Sequence, residues 1–292
     1  MNKILVTGAT GQMGNAVIET LLKKIPSDHI AVLTRKEEKQ LAFQAKGFQA
    51  YLGDYNDINA LEKAMKGVDT VLLISAGDQG DRMQEHRNII DTAKKIGITN
   101  IAYTSRSLRD RATLSNKLML EHFETEDYIK ASGLKYTIFR NALYMDVIPL
   151  FVGKQVFDTG IFQPAGDGQV AFALRQEQSE AMANVLVNEV CANKTYKFTG
   201  TEGYSFYDVA NVLSQLSGKE VHYTAVEIPV FEGIMKQKGL PEGMIKKIID
   251  FNLDIKNGQE ADVTNDLEEK LGRKPSTLNW HQIGRASCRE RV

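Results

Sequence analysis

An α/β fold, a doubly wound parallel sheet carrying a smaller, mostly helical C-terminal lobe, is what this sequence of 292 residues predicts. Three observations predict it. Apolar runs of four to six residues alternate with longer amphipathic stretches through the first 140 residues. Those runs lack polar alternation, as strands buried on both faces do. The connections between them are short, so each strand is followed by a helix that returns the chain to the same edge.

Taken in order, the apolar runs place strands at 3–7, 30–34, 48–52, 69–74, 100–105 and 135–140. The amphipathic stretches place helices near 12–24, 36–46, 57–66, 81–96 and 114–132. After Pro149 the rhythm breaks. Gly160 to Gly168 reads as a loop free to fold over a ligand. A helix at about 177–189 and a strand from Thr195 to Thr199 follow, then a helix at 205–217 and a strand at 220–224. Helices near 229–238 and 241–254 close the pattern. There is no internal repeat and no low-complexity tract.

The strongest local signal is Gly8-Ala9-Thr10-Gly11-Gln12-Met13-Gly14, directly after the strand Ile4-Leu5-Val6-Thr7. Glycines there allow a tight turn, let backbone N–H groups approach a pyrophosphate, and let the next helix pack close to the sheet. The helix also aims its positive end at the phosphates. A bare glycine pattern says little, but on the first strand of a βαβ run it marks a Rossmann-type dinucleotide site. Gly8, Thr10, Gly11, Gln12, Met13 and Gly14 are its expected contacts. Residues 1–150 then form the dinucleotide-binding domain, with 170–200 returning to it and 201–282 as a substrate-side lobe.

The end of the second strand separates the two nicotinamide cofactors. An NAD site places an acid there for the ribose 2′-OH; this chain has Thr34-Arg35-Lys36, with Lys39 one turn on. A guanidinium pairs with a 2′-phosphate, so Arg35 favours NADPH over the plainer reading of a solvated basic helix start. Asp54, after the third strand, either accepts from the adenine amino group or caps the helix beginning near Asp57. Ser75, Ala76 and Gly77, after the fourth, are small enough for close approach to the cofactor. Ser105 gives the fifth strand a polar end.

What is missing narrows the chemistry. None of the ten tyrosines has Lys at the fourth following position, which argues against a Tyr/Lys acid–base pair. The five histidines are scattered and no cysteine pair exists, so no metal site is expected. Quinones need no strong protein acid, because hydride addition leaves a phenolate that takes its proton from water. Cationic dyes that accept hydride at a central carbon need no proton at all.

The chain resembles the NmrA-like atypical short-chain dehydrogenases, in particular their quinone-reductase and triphenylmethane-reductase branch. The residues carrying this are Gly8 to Gly14, Thr34-Arg35, Gly53-Asp54-Tyr55, His122 to Glu126, Tyr136 to Asp146, and Gly272-Arg273-Lys274-Pro275. The resemblance implies NADPH binding, Arg35 at the 2′-phosphate, and Arg140 to Tyr144 beside the nicotinamide and acceptor. Asn141 either bonds the nicotinamide amide or caps a helix, and Tyr144 and Phe172 either wall the acceptor site or belong to the core. His122 stands where related phenylpropanoid reductases carry Lys. It either donates a proton near neutral pH or is structural. The segment Arg106 to Arg111 is unusually basic for a pocket loop.

The leading expectation is an NADPH-dependent oxidoreductase passing hydride to a quinone or similar planar acceptor. The alternatives are an NADP(H)-binding redox sensor without turnover, and a reductase of sugar-nucleotide or lignan-like substrates. A net charge of −1 supplies no basic field for nucleic acid or an anionic membrane. No run of about 18 apolar residues is present. Strand signals begin at Lys3 without signal-peptide architecture, and Cys191 and Cys288 make no disulfide framework, so a cytoplasmic protein is expected, with a homodimer compatible. Ile283 to Val292 lacks periodicity and looks like translated sequencing-library adapter. It is read as a non-native tail, with the native C-terminus truncated near Gln282.

Overall fold

Unbroken apolar strands can be buried only between two helical layers, and the chain folds accordingly. The computed structural model describes residues 2–77, 80–189 and 192–278. Strand β1 (Ile4–Val6) leads into α1 (Gln12–Leu21), and β2 (Ile30–Thr34) into α2 (Glu37–Gln44). Next come β3 (Gln49–Leu52) with α3 (Ile58–Met65), and β4 (Thr70–Leu73) with α4 (Arg82–Lys95). Strand β5 (Asn100–Arg106) is followed by α5 (Leu120–Ala131) and β6 (Lys135–Asn141). Short helices α6 (Ile148–Val152) and α7 (Val156–Thr159) precede β7 (Ile161–Gln163), then α8 (Arg175–Asn188) and β8 (Lys194–Phe198). The last described elements are α9 (Phe206–Ser217), β9 (Tyr223–Ala225), α10 (Ile228–Gln237), α11 (Glu242–Lys256) and α12 (Asp266–Leu271).

Seven strands form one sheet in the order β3-β2-β1-β4-β5-β6-β8, and every pairing is parallel. Ile4 sits opposite Ile30 on one side and Thr70 on the other, so the order reverses between β1 and β4. The loops leaving those two strands run to opposite faces and leave a crevice at the strand ends.

Successive strand residues point to opposite faces, and each face has its own core. Ile4, Val6, Val32 and Leu72 pack with Phe139 and with Val17 of α1 and Met182 of α8. Leu5, Leu33, Val71 and Leu73 pack against Leu61, Ile89, Ile90 and Ile129 of α3, α4 and α5. Each fully buried aliphatic side chain contributes about 1.5–3 kcal/mol. A third cluster, containing Met145, Ile161, Phe172, Phe206, Leu213 and Ile255, holds the lobe together.

Three segments differ from the expectation. Gly160 to Gly168 is not simply a loop: it contains β7, which pairs in parallel with β9, Ile161 opposite Tyr223. The helix expected at 114–132 begins only at Leu120, after turns at Arg111–Thr113 and Lys117–Met119. The Asp254 carboxylate accepts from the Ser115 and Asn116 amides at 2.6 and 3.0 Å, which holds that stretch out of the helix. Helix α12 went unforeseen; its six residues bury only Leu267.

The loop after β5 is fastened to residues 254–262 beyond Asp254. Gln259 accepts from the Asp110 amide at 2.9 Å and donates to Thr113 Oγ1 at 2.7 Å. Its basic run is neutralised: Arg106 pairs with Glu260, Arg109 with Asp262 and Arg111 with Asp127. Cys191, Cys288 and the tail Ile283 to Val292 lie outside the described residues.

Candidate active site

The turn after β1 is shaped by its glycines. Gly8 adopts φ +60°, a conformation L side chains rarely take, and accepts a hydrogen bond from the Gly11 amide at 3.0 Å. A Cβ on Gly14 would stand 2.3 Å from the Gly8 oxygen, so glycine alone lets α1 start this close to the strand. Helix α1 has no side-chain cap and no acid in its first turn, and Thr10, Gly11 and Gln12 are exposed. Its leading N–H groups and positive end therefore face outward, ready for an anion. Met13 departs from the expected contact: its side chain is buried and accepts from Ser179 Oγ at 2.9 Å, leaving only its backbone on the turn.

A small polar network supports the turn from below. Thr7 Oγ1 donates to the Leu72 carbonyl and accepts from the Ile74 amide, at 3.1 and 3.0 Å. The Tyr55 hydroxyl lies 2.9 Å from Thr7 Oγ1 and 3.0 Å from the Ile74 carbonyl. Burial pushes that hydroxyl up to about 12, so it stays a neutral donor.

Arg35 follows β2 on the surface and forms no salt bridge among the described residues. The two readings of Asp54 part here. Asp57 caps α3, accepting from the Ala60 amide at 2.9 Å. Asp54 Oδ1 instead accepts from the Asn56 and Asp57 amides, at 2.8 and 3.1 Å, and fixes the turn before the helix. Beyond β4, the Ser75 amide donates to Thr104 Oγ1 and the Ala76 amide to His86 Nε2, both at 2.9 Å. Gly77 is exposed.

Two expected site residues face inward. Ser105 is buried and donates to Glu126 Oε1 at 2.7 Å, so its hydroxyl is occupied within the protein. His122 is buried too, with Nδ1 2.9 Å from the Tyr103 hydroxyl. Burial, reinforced by the charges of Arg82 and Arg106, holds its pKa well below the usual range. A neutral His122 is no imidazolium donor near neutral pH, and its surroundings fit the structural role. Phe172 likewise belongs to the lobe's core.

Asn141, at the end of β6, is fully buried; its amide makes no hydrogen bond of good geometry among the described residues, although the Tyr144 hydroxyl lies close enough to interact with it. An unmatched buried polar group costs about 1–3 kcal/mol. A ligand presenting a complementary amide would remove that cost. Tyr144 is half-buried, with the Arg175 guanidinium 4.6 Å from its ring centre. Burial raises its hydroxyl pKa against the opposing charges of Arg106 and Arg175.

Sequence reasoning missed Glu126 and Arg82 as organisers of the site. Glu126 is buried and accepts from Arg140 Nε and Nη2 at 2.8 and 2.6 Å, as well as from Ser105. It locks α5 to β5 and β6. Arg82 donates to the Ala76 and Leu118 carbonyls, both at 3.0 Å, and pairs with Glu121 at 2.9 Å. Each bridges elements far apart in sequence; the block His122 to Glu126 was the only signal for the first.

Beside these strand ends lies a cleft of about 1050 Å³. Gly77 and Leu143 bring it up to the ends of β4 and β6, and Phe151, Phe231, Ile234 and Met244 are among its apolar walls. Among the described residues no group of His, Cys, Asp or Glu is placed to hold a metal, and no helix is long and apolar enough to cross a membrane.

Comparison with known proteins agrees with this geometry. Quinone oxidoreductase 2 of Escherichia coli is 35% identical over 276 residues, covering 94% of this chain and 96% of that protein. The crystal structure of an NADPH-dependent quinone oxidoreductase from Escherichia coli, complexed with NADPH, superposes with a TM-score of 0.88 at 33% identity, over 98% of this chain and 99% of that one. Triphenylmethane reductase from Citrobacter sp., complexed with NADP(H), gives 0.87 at 31% identity, over 97% and 99% of the two chains. The profile of the NmrA-like family matches residues 1–284, and this chain belongs to that family.

Proposed function

We propose that the protein is an NADPH-dependent oxidoreductase that passes hydride directly to a quinone or similar planar acceptor. The observation that carries the reading is a juxtaposition: the exposed glycine turn flanks the crevice between β1 and β4, and the apolar cleft opens at the ends of β4 and β6. The names of the similar proteins, quinone oxidoreductase and triphenylmethane reductase among them, support the same chemistry.

The residues fit the cofactor. The leading N–H groups of α1, at Gln12 and Met13, suit its pyrophosphate, and Arg35 suits the 2′-phosphate that distinguishes NADPH from NADH. Asp54, Ser75, Ala76 and Gly77 border the same crevice. The buried Asn141 amide suits the carboxamide of the nicotinamide, with Tyr144 beside it. When bound, NADPH supplies the hydride. The chain's part is to hold the acceptor against it and to exclude water from the apolar walls. A neutral, buried His122 and a Tyr144 hydroxyl whose pKa burial raises leave no strong proton donor among the groups expected at the site. Acceptors whose reduced form takes its proton from water suit such a site.

The test is NADPH oxidation followed by absorbance with a panel of quinones, NADH serving as control. Quinone-dependent turnover that prefers NADPH supports the reading. Tight NADPH binding with no turnover overturns it in favour of a redox sensor.

A further inference from the structure

Charge in the cleft is segregated by sign. Its lining includes Arg82, Lys154, Lys238 and Lys247, and among the described residues no Asp or Glu. The chain as a whole carries 36 basic and 37 acidic residues, so this imbalance is local to the cleft. Three acids of the lobe are paired with lysines outside the lining. Glu232 and Glu242 both hold Lys236, at 2.8 and 3.3 Å, and Asp250 holds Lys246 at 2.7 Å. Arg82 is balanced by Glu121, which lies outside the lining. Lys154 and Lys238 are exposed and form no salt bridge among the described residues. They belong to different walls: Lys154 lies between α6 and α7, and Lys238 follows the last turn of α10.

We propose that the cleft selects a flat aromatic acceptor bearing an acidic substituent, a carboxylate, a sulfonate or an ionised ring hydroxyl. The apolar walls would take the ring while Lys154 and Lys238 take the substituent at the rim. The proposal deepens the quinone-reductase reading and rests on it for the identity of the reacting ring. The redox balance is unchanged: NADPH gives a hydride, the solvent gives a proton, and the acidic group keeps its charge throughout. Low-dielectric walls strengthen attraction between a rim cation and an anion relative to bulk water, and they equally strengthen repulsion of a cation. Cationic triarylmethane dyes are therefore disfavoured here, in contrast to the related enzyme named for reducing triphenylmethane dyes.

The experiment compares two fluorescent probes that share one ring skeleton and differ by a single sulfonate group, 1-anilinonaphthalene-8-sulfonate and N-phenyl-1-naphthylamine. Dissociation constants are measured by titration into the full chain loaded with NADP+. The variants are Lys154→Gln, Lys238→Gln and the double substitution, with Lys46→Gln, exposed just after α2 and outside the lining, as a control for net charge. The sulfonate probe should bind the double variant about fivefold or more weakly, while the neutral probe moves less than about twofold and the control moves neither. Equal weakening of both probes, or no change for the sulfonate, overturns the proposal. Quinone turnover is scored separately. Lysine-dependent sulfonate binding without turnover of any quinone would keep the charge assignment and reject the reductase.

Discussion

At the scale of single residues, the site depends on groups whose surroundings leave one property available. Arg35 is exposed and forms no salt bridge among the described residues, which leaves its charge available to a phosphate. Arg35→Ala should weaken NADPH by about 1.5–3 kcal/mol, roughly ten- to hundredfold, and NADH hardly at all. Titration of both dinucleotides checks this, and equal losses would remove Arg35 from the 2′-phosphate. Asn141→Ala should slow hydride transfer roughly tenfold in single-turnover measurements while leaving the cofactor dissociation constant within about twofold. A variant with unaltered rate would take Asn141 out of the site. Both assignments come from local features of the sequence: a missing acid after a strand, and a strand-end block. The buried settings of Ser105 and His122 were not readable in this way. Their roles depend on Glu126 and Tyr103, which lie 21 and 19 residues away along the chain but across a hydrogen bond in space. Nothing in periodicity tells whether a polar side chain at a strand end turns toward solvent or toward a buried partner.

Among elements, legibility followed length. All seven strands of the sheet, β8 included, and the helices that cover it were readable because their apolar patterns register in the sequence. Three-residue β7 and six-residue α12 each span fewer than two periods of their pattern, and both are held by distant contacts, β7 by β9 and α12 by α8. The pairing of α4 with α5 makes a further prediction. His86 is buried on α4, where its Nε2 accepts the Ala76 amide and its Nδ1 lies 2.8 Å from Thr125 Oγ1 on α5. With Nε2 accepting, Nδ1 carries the proton, and Thr125 passes its own to the Glu121 carbonyl at 2.8 Å. Burial, and then the Arg82 charge, lower its pKa from 6.5 to about 3. Between those values the unfolded chain binds a proton that the native state refuses. His86's contribution to stability is thus complete above pH 6.5 and declines as pH falls toward 3, by up to about 1.4 kcal/mol per unit. His122 acts in the same direction. Urea unfolding of His86→Asn across this window should show a shallower acid slope than the wild type. Identical slopes would mean that His86 titrates normally in the fold.

On the scale of the whole molecule, the segment 107–119 takes its shape from residues that follow it by about 140 positions. Gln259→Ala removes the acceptor of the Asp110 amide and the donor to Thr113 at once. Global stability should fall by about 2 kcal/mol. Amide exchange should quicken across 107–119 while β1 stays as protected as global unfolding allows. Unchanged exchange in that loop would mean that Asp254 alone holds it. Such cross-chain fastening is invisible to a sequence read window by window, and it is why the basic run Arg106 to Arg111 looked anomalous for a pocket loop until its carboxylate partners came into view.

The packing of α1 against α8 carries a consequence for synthesis. Met13, within the glycine-rich segment, contacts Ser179, which the ribosome adds 166 residues later. At about 5–20 residues per second, roughly 8 to 33 seconds pass between translating the phosphate-binding turn and translating the helix that backs it. During that interval the side of α1 that packs on α8, Met13 included, has no permanent cover. A nascent chain stalled before α8 would present that face to chaperones and proteases. Added dinucleotide should protect only chains long enough to have released α8, so the cofactor would mark finished molecules and leave growing ones unprotected.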